Sequence, residues 1–495
     1  MPALNVFSNG RSIGSLDRDY TVNRTVYRFD YAPGIGREDT VSLVMEPPGP
    51  RLFEQAGKMH PVFDMNLPEG ALRGAIIRMF SKTLDTAVFD DFTLLGLVGQ
   101  SLIGRLRFGQ GQQIGPIPEQ NLKQLLEHRG TKGLFDALLE RYARYSGVSG
   151  VQPKVMVRDD GSLNTSPSGE FSPGQPLKGV TAKGTTHILK HFDPIDRPGL
   201  AANEFLCLKA AIAAGLPVPP TFLSDDGEIF AIERFDLKPD GTYLAFEDLC
   251  SIAGKVSDEK YEGTYEEVAA TLARYLPPDS GDMRLFFKSL VLSVIVRNGD
   301  AHRKNFGVLY DDPTQEIRLA PVYDVVTTLP YLPDDNMALK IGDSKHWPDE
   351  KILTNFGIKH CSVVKARESI QEVAQGVADT RAQLHDELRL PTDIAVRMAQ
   401  IWEAGLMAVD SARAVRGTSI FREIEESVRR SRSIPPTPKA ETEVEGGGPD
   451  STAADPAIER LRARTKGVLP KLSASNANAA PLPDPNKGHS PRRGR

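Results

Sequence analysis

Asp300 and Asn305 frame the run Asn298-Gly299-Asp300-Ala301-His302-Arg303-Lys304-Asn305, and a second aspartate, Asp324, follows the next strand-like stretch, Ile317 to Tyr323. A carboxylate, a carboxamide and a later carboxylate form a set suited to moving a phosphoryl group from ATP. In that chemistry Asp300 takes the proton of an attacking hydroxyl, general-base work worth roughly 10²–10⁴-fold. Asn305 and Asp324 offer oxygen ligands to Mg²⁺, which the reaction needs because ATP brings concentrated negative charge. His302 and Lys304, between them, either reach the nucleotide or brace the loop. The spacing alone occurs often by chance. Its weight comes from its place, after the apolar segment Leu285 to Val296 and before the strand-like Phe306 to Tyr310.

Phosphoryl transfer also requires a lid over the phosphates, a cation on them and a slot for adenine. Candidates for each occur in order. Ser149-Gly150-Val151-Gln152-Pro153-Lys154 is a small turn entering a strand, suited to placing backbone N–H groups near phosphate oxygens, although ordinary turns look the same. Lys190 ends the strand-like Thr186-His187-Ile188-Leu189-Lys190, and Glu204 on the following helix is placed to pair with it. Otherwise such a lysine is an edge residue keeping its head in water. Glu233-Arg234-Phe235 ends a strand where the chain would cross between lobes, so its backbone is the candidate partner for adenine.

The elements that must position these groups are legible as periodicities. Asn5-Val6-Phe7 runs into the turn pair Asn9-Gly10, and Val26 to Tyr31 alternates Tyr27, Phe29 and Tyr31 with Arg28 and Asp30, as a half-buried strand does. A helix is expected over Gly70 to Ser81, then a linker or helical connector to Ser146. Strands at Val155 to Val157, Thr186 to Phe192 and Ile229 to Phe235 surround a Ser/Pro/Gly-rich loop at 164–178 and a helix over Asn203 to Ala214. Strands with one helix, then mostly helical sequence, predict an α+β, two-lobed protein-kinase-like fold, with a β-rich N-terminal subdomain and a mostly helical C-terminal lobe. The boundaries expected are 1–110, 145–412 and a Pro-rich tail, 431–495. That tail holds ten prolines and no aromatic residue, and is expected to be disordered.

Composition narrows the class. A net charge of −5 argues against a globally basic nucleic-acid wrapper. The three cysteines form no CxxC pair and the nine histidines no HExxH cluster, so buried thiols in a reducing compartment are expected. The N-terminus lacks a signal-peptide pattern, and Leu285 to Val296 is shorter than the roughly 20 residues that span a bilayer. The expectation is a cytoplasmic protein with no membrane contact.

The segments SGVQPK (Ser149 to Lys154), THILK (Thr186 to Lys190), NEF (Asn203 to Phe205), ERFD (Glu233 to Asp236), NGDAHRKNF (Asn298 to Phe306) and APVYD (Ala320 to Asp324) resemble, in order and spacing, the HipA family of serine/threonine kinase toxins. Leu67-Pro68-Glu69-Gly70 and Phe92 to Gly96 resemble that family's N-terminal subdomain. The resemblance implies ATP and Mg²⁺ use, and ATP-site roles that extend to Arg303 and Tyr323. It also implies phosphorylation of a protein serine, with aminoacyl-tRNA synthetases as the known kind of target, and growth arrest. The implied partner is a small helix-turn-helix antitoxin of the HipB type, with DNA reached only through it. Family members autophosphorylate a Ser-x-Ser or Ser-x-Ala serine before the Gly-containing loop. Here Gly147 stands first, leaving Ser149, and Ser146 one residue earlier. Two other readings are a small-molecule or lipid kinase and a catalytically silent co-repressor. The intact Asp300, Asn305 and Asp324 argue against the silent one.

Overall fold

A computed structural model of the protein describes residues 3–20, 24–47, 53–80, 89–109, 117–128, 131–163, 184–192 and 194–410. The expected loop at 164–178 and tail at 431–495 lie outside the described residues. Among the described residues the strands form three sheets. The first joins β1 (Leu4–Ser8), β2 (Arg11–Tyr20), β3 (Thr25–Tyr31), β4 (Phe53–Ala56) and β5 (Leu106–Gly109) in the order β4-β3-β2-β1-β5, antiparallel throughout. Asn9 and Gly10 turn β1 into β2 with φ of 44° and 87°. Positive φ at both central residues matches the twist of a hairpin, and Asn-Gly adopts it at least cost. Tyr27 and Phe29 of β3 are buried with Arg28 between them, as the alternation predicts.

The second sheet contains β6 (Glu119–Gln120), β7 (Lys154–Asp159), β8 (His187–His191), β9 (Thr221–Leu223) and β10 (Ile229–Glu233) in the order β6-β7-β8-β10-β9. It is covered on both faces. Leu189, Ile229 and Ala231 pack into the core of the N-terminal sheet, while Phe230 and Ile232 pack into the helical core. The register sets Lys154 opposite Lys190 and Lys190 opposite Phe230, so both lysines share the face turned to the helical lobe.

The connector between these sheets is helical, Leu122–Glu127 and Thr131–Tyr142, and it is part of the core rather than a spacer. Leu122, Leu125, Phe135, Leu138 and Tyr142 are buried with the N-terminal sheet. The third sheet, β11 (Ala245–Asp248), β12 (Gly307–Tyr310) and β13 (Ile317–Leu319), flanks the helical lobe. Here the expectation needs correction, because β13 stops at Leu319 and does not run to Tyr323. Pro321 has no N–H to continue a ladder, and the chain turns so that Val322 N–H donates to Pro217 O at 2.8 Å.

Helix Leu200–Ala213 begins after Gly199, earlier than its apolar pattern suggests, and helix Asp282–Ile295 is buried almost throughout. Lys288, which interrupts the latter's apolar run, reaches Glu372 at 3.2 Å. The helix closes with Asn298 N–H on Ser293 O at 2.8 Å, and this delivers the chain to Asp300.

Buried polar brackets tie the N-terminal sheet to the rest. Arg234 donates to Asp236 at 2.5 and 3.0 Å, to Thr185 Oγ1 at 2.7 Å and to Leu102 O at 2.8 Å, and Gly104 N–H donates to Asp236 at 2.6 Å. Glu247 accepts from Ser42 Oγ, Leu43 N and Tyr310 Oη at 2.5, 2.8 and 2.6 Å. Removing one member of a buried charge pair strands the other, at about 3–5 kcal/mol. Arg234→Ala is therefore expected to lower the unfolding free energy extracted from urea melts by that order, and Arg234→Lys to recover little, because an ammonium lacks the planar fork.

Candidate active site

The groups that the sequence singles out converge around Lys190. Its Nζ lies 2.6 Å from Glu204 Oε1 and 2.6 Å from Asp324 Oδ1, bridging the strand, the helix and the chain beyond β13. Burial opposes the ammonium charge, but the two carboxylates outweigh it and raise its pKa. Burial would likewise raise Asp324, yet Lys190 and Lys154 hold its carboxyl well below the usual range. Glu204, wholly buried, is pushed up to about 7 by burial despite Lys190. Asp324 takes a left-handed backbone, φ 59°, rare for a residue with a side chain. This turn brings its carboxylate back to Lys190.

Lys154, opposite Lys190, is pushed down to about 8 by burial and by that neighbouring cation. Its Nζ donates to Ser149 O at 2.9 Å, drawing the small loop over itself. Gly150 adopts φ 111°, open to glycine but strained for other residues. Gln152 Oε1 is buried with no hydrogen-bond partner among the described residues, and Pro153 O accepts His191 N–H at 3.0 Å. Val151 presses its carbonyl against Gly70, where any Cβ would collide with it. Thus Leu67-Pro68-Glu69-Gly70 supports the loop from the N-terminal side. Ser146 is fully buried, donating to Tyr142 O at 2.8 Å and accepting from Met156 N–H at 2.8 Å. Ser149 is half-buried. A Cβ at Gly147 would collide with the Leu102 side chain and with the Ser101 backbone carbonyl, and the second clash requires the loop to shift if a serine stood there.

In the Asp300–Asn305 run, His302 N–H donates to Asp300 O at 2.8 Å and to Asn305 Oδ1 at 3.0 Å, closing a tight turn. Asn305 Nδ2 lies 3.2 Å from Asp324 Oδ2, so carboxamide and carboxylate are neighbours. Burial raises the Asp300 carboxyl above its ordinary value, and Tyr261 Oη, donating to it at 2.6 Å, offsets part of that rise. His302 is kept neutral, pushed down to about 3 by burial. Arg303 and Lys304 brace the loop. Arg303 Nε donates to Glu262 O at 2.8 Å, and Lys304 Nζ to Met65 O and Ser257 Oγ at 3.1 and 2.9 Å. Nearby, Phe235 stacks on Tyr323 with centroids 5.4 Å apart, and Tyr323 Oη donates to Lys304 O at 2.8 Å.

Arg234 turns away from this cluster: its side chain is in the bracket described above, and its N–H donates to Thr186 O at 2.8 Å. The Glu233 N–H donates to Pro220 O at 2.9 Å, so neither amide is turned to an adenine. Three contributors carry little sequence signal. Tyr261 and Lys260 sit in an ordinary polar run, and Glu69, though within the Leu67–Gly70 motif, gives no local sign that it lies 3.6 Å from both Lys260 and Lys304. One carboxylate and one carboxamide are donor types that suit Mg²⁺, which usually takes a few protein oxygens and completes its shell with phosphate and water; here the Asn305 oxygen accepts His302 N–H and its amide nitrogen faces Asp324, so joint coordination requires the carboxamide to turn.

Known proteins resemble this chain in sequence and in fold. The HipA-like C-terminal domain matches residues 146–382 and the HipA N-terminal domain residues 4–109. Two proteins of Sinorhizobium fredii (strain NBRC 101917 / NGR234), named "Putative kinase" Y4mE and Y4dM, are similar to this chain. Y4mE is 31% identical over 68% of this chain and 80% of its own length; Y4dM is 27% identical over 80% and 90%. The fold is similar to that of HipA in the Shewanella oneidensis MR-1 complex with HipB and operator DNA. The TM-score is 0.55 at 17% identity, over 83% of this chain and 97% of that one.

Lys190→Met leaves Glu204 and Asp324 facing each other without their cation. Mg·ATP affinity, followed with a fluorescent nucleotide, is expected to fall on the order of tenfold or more, about 1.4 kcal/mol per decade. Unchanged affinity would place the nucleotide elsewhere.

Proposed function

The chain belongs to the HipA family, whose members it resembles in both domains, and from that premise we propose that it is an ATP-dependent serine/threonine-protein kinase acting as the toxin of a toxin–antitoxin pair. The observation that carries the reading is that Asn305 and Asp324 meet beside the Lys190–Glu204 pair, with Asp300 joined to Asn305 through the His302 N–H and close enough to feel the Asp324 charge. Asp300 is the base that accepts the proton of a protein serine. Lys190, and Lys154 when charged, meet phosphate oxygens. Asn305 and Asp324 would hold Mg²⁺, which supplies charge neutralisation on the phosphates when bound. Phe235 and Tyr323 offer flat apolar surface suited to a base. Glu204 keeps Lys190 oriented, and His302, neutral and beside Asp300, adds no positive charge to the base.

The substrate proposed is a protein serine, with an aminoacyl-tRNA synthetase as the target class, and growth arrest as the outcome. The Shewanella HipA is found with HipB and operator DNA; for this chain we propose a helix-turn-helix antitoxin of the same type, with DNA reached through it.

Asp300→Asn is expected to lower transfer from Mg·ATP to protein by roughly 10²–10⁴-fold, with nucleotide affinity retained. Because burial raises the Asp300 pKa, activity should fall on acidification at a pH above the ordinary aspartate range, as the base becomes protonated. Full activity of Asp300→Asn would contradict the assignment. Autophosphorylation is expected on Ser149 and not on Ser146, whose hydroxyl is buried and bonded on both sides. Peptide mapping after incubation with ATP checks this, and phosphate on Ser146 would show that the loop opens further than this packing allows.

A further inference from the structure

The segment Ser257–Glu262 passes between the N-terminal domain and the loop bearing Asp300. On one side Ser257 donates from N and Oγ to Asp64 Oδ2 at 2.9 and 2.7 Å, Lys58 pairs with Asp258 at 3.0 Å, and Lys260 lies 3.6 Å from Glu69. On the other, Lys304 Nζ donates to Ser257 Oγ, Arg303 N–H to Lys260 O at 3.2 Å and Arg303 Nε to Glu262 O. So pinned, this strap lays Tyr261 Oη 2.6 Å from Asp300 Oδ1, with the ring edge-on to His302 at 5.0 Å. Tyr261 is 40% exposed, so packing alone does not explain its position.

A phenol donating to this carboxylate makes the contact that an alcohol acceptor must make before losing its proton. We infer that Tyr261 occupies the acceptor-hydroxyl subsite of the resting enzyme and is a gate that the protein acceptor displaces. This rests on the kinase reading of Asp300. In transfer, the acceptor oxygen bonds to the γ-phosphorus, the bridging P–O bond breaks with its electron pair leaving on ADP, and the acceptor proton passes to Asp300. Water in the acceptor's place would give phosphate and ADP; the tyrosine hydroxyl keeps water off that oxygen until an acceptor arrives. The N-terminal domain, through Asp64, Lys58 and Glu69, holds the gate shut.

The test measures ADP release from Mg·ATP without protein acceptor, using full-length protein on a Ser149→Ala background so that autophosphorylation does not contribute. Tyr261→Phe is expected to raise hydrolysis on the order of threefold to tenfold, the scale of one hydrogen bond. Asp64→Ala, which removes the acceptor of both Ser257 bonds without altering Tyr261 or Asp300, should raise it in the same direction. Fluorescent-nucleotide affinity, unchanged in both, controls for folding. A Tyr261→Phe rate equal to or below the parent's, with the parent still dependent on Asp300, overturns the gate and leaves the kinase reading intact. No Asp300-dependent turnover in any variant overturns the kinase reading and the gate with it. The contact itself is read without turnover: nitration of Tyr261 by tetranitromethane should increase in Asp300→Asn, and equal nitration would refute it.

Discussion

Lys190, clasped between Glu204 and Asp324 at 2.6 Å each, is the contact on which the rest of the site depends. Two carboxylates this close, largely removed from water, repel each other unless a cation separates them. The lysine therefore links strand β8, helix Leu200–Ala213 and the chain beyond β13. The same helix secures that chain a second time. Asn203, beside Glu204, exchanges hydrogen bonds with the Thr327 backbone at 2.9 Å in both directions, and Trp402 Nε1 donates to Thr327 Oγ1 at 2.7 Å. With Thr327 fixed, Asp324 is held in its left-handed turn and Asn305 has a neighbour. Positions set far apart in sequence thus become one cluster through two adjacent residues on one helix.

The N-terminal domain is part of this machinery rather than an appendage. Gly70 presses on the backbone of Val151, and Glu69 faces Lys260 and Lys304. The Arg234–Asp236 bracket joins the end of β10 to Leu102 and Gly104, and Glu247 joins β11 to Ser42 and Leu43. Each bracket buries charge that only its partners satisfy, which favours one relative placement of the two parts. The Ser149–Lys154 loop and the segment that carries Tyr261 to Asp300 are consequently both bordered by N-terminal residues.

Much of this was legible in the chain. The alternation of Tyr27 and Phe29, the Asn9-Gly10 turn and the apolar run before Asn298 carry local physics, and the corresponding elements occur where those patterns lie. The pairing of Lys190 with Glu204 was also accessible, because strand and helix follow each other closely. What was hidden depends on distance in sequence or on single backbone angles. Nothing local separates Arg234, turned into a bracket, from a residue facing a nucleotide. Asp324 reads as the end of a strand, but Pro321 breaks the ladder and a positive φ reverses its side chain. Tyr261 sits among polar residues that resemble any exposed turn, and only its approach to Asp300, 39 residues on, gives it meaning.

A crystal structure of the protein with a non-hydrolysable ATP analogue and Mn²⁺ in place of Mg²⁺, with the metal located by its anomalous signal, would show where the nucleotide and metal sit. The peak is expected at Asn305 and Asp324, with phosphate oxygens beside Lys190 and Asp300 free of the metal. A nucleotide bound away from Lys190, or a metal peak that avoids Asp324, would contradict the roles proposed for these residues.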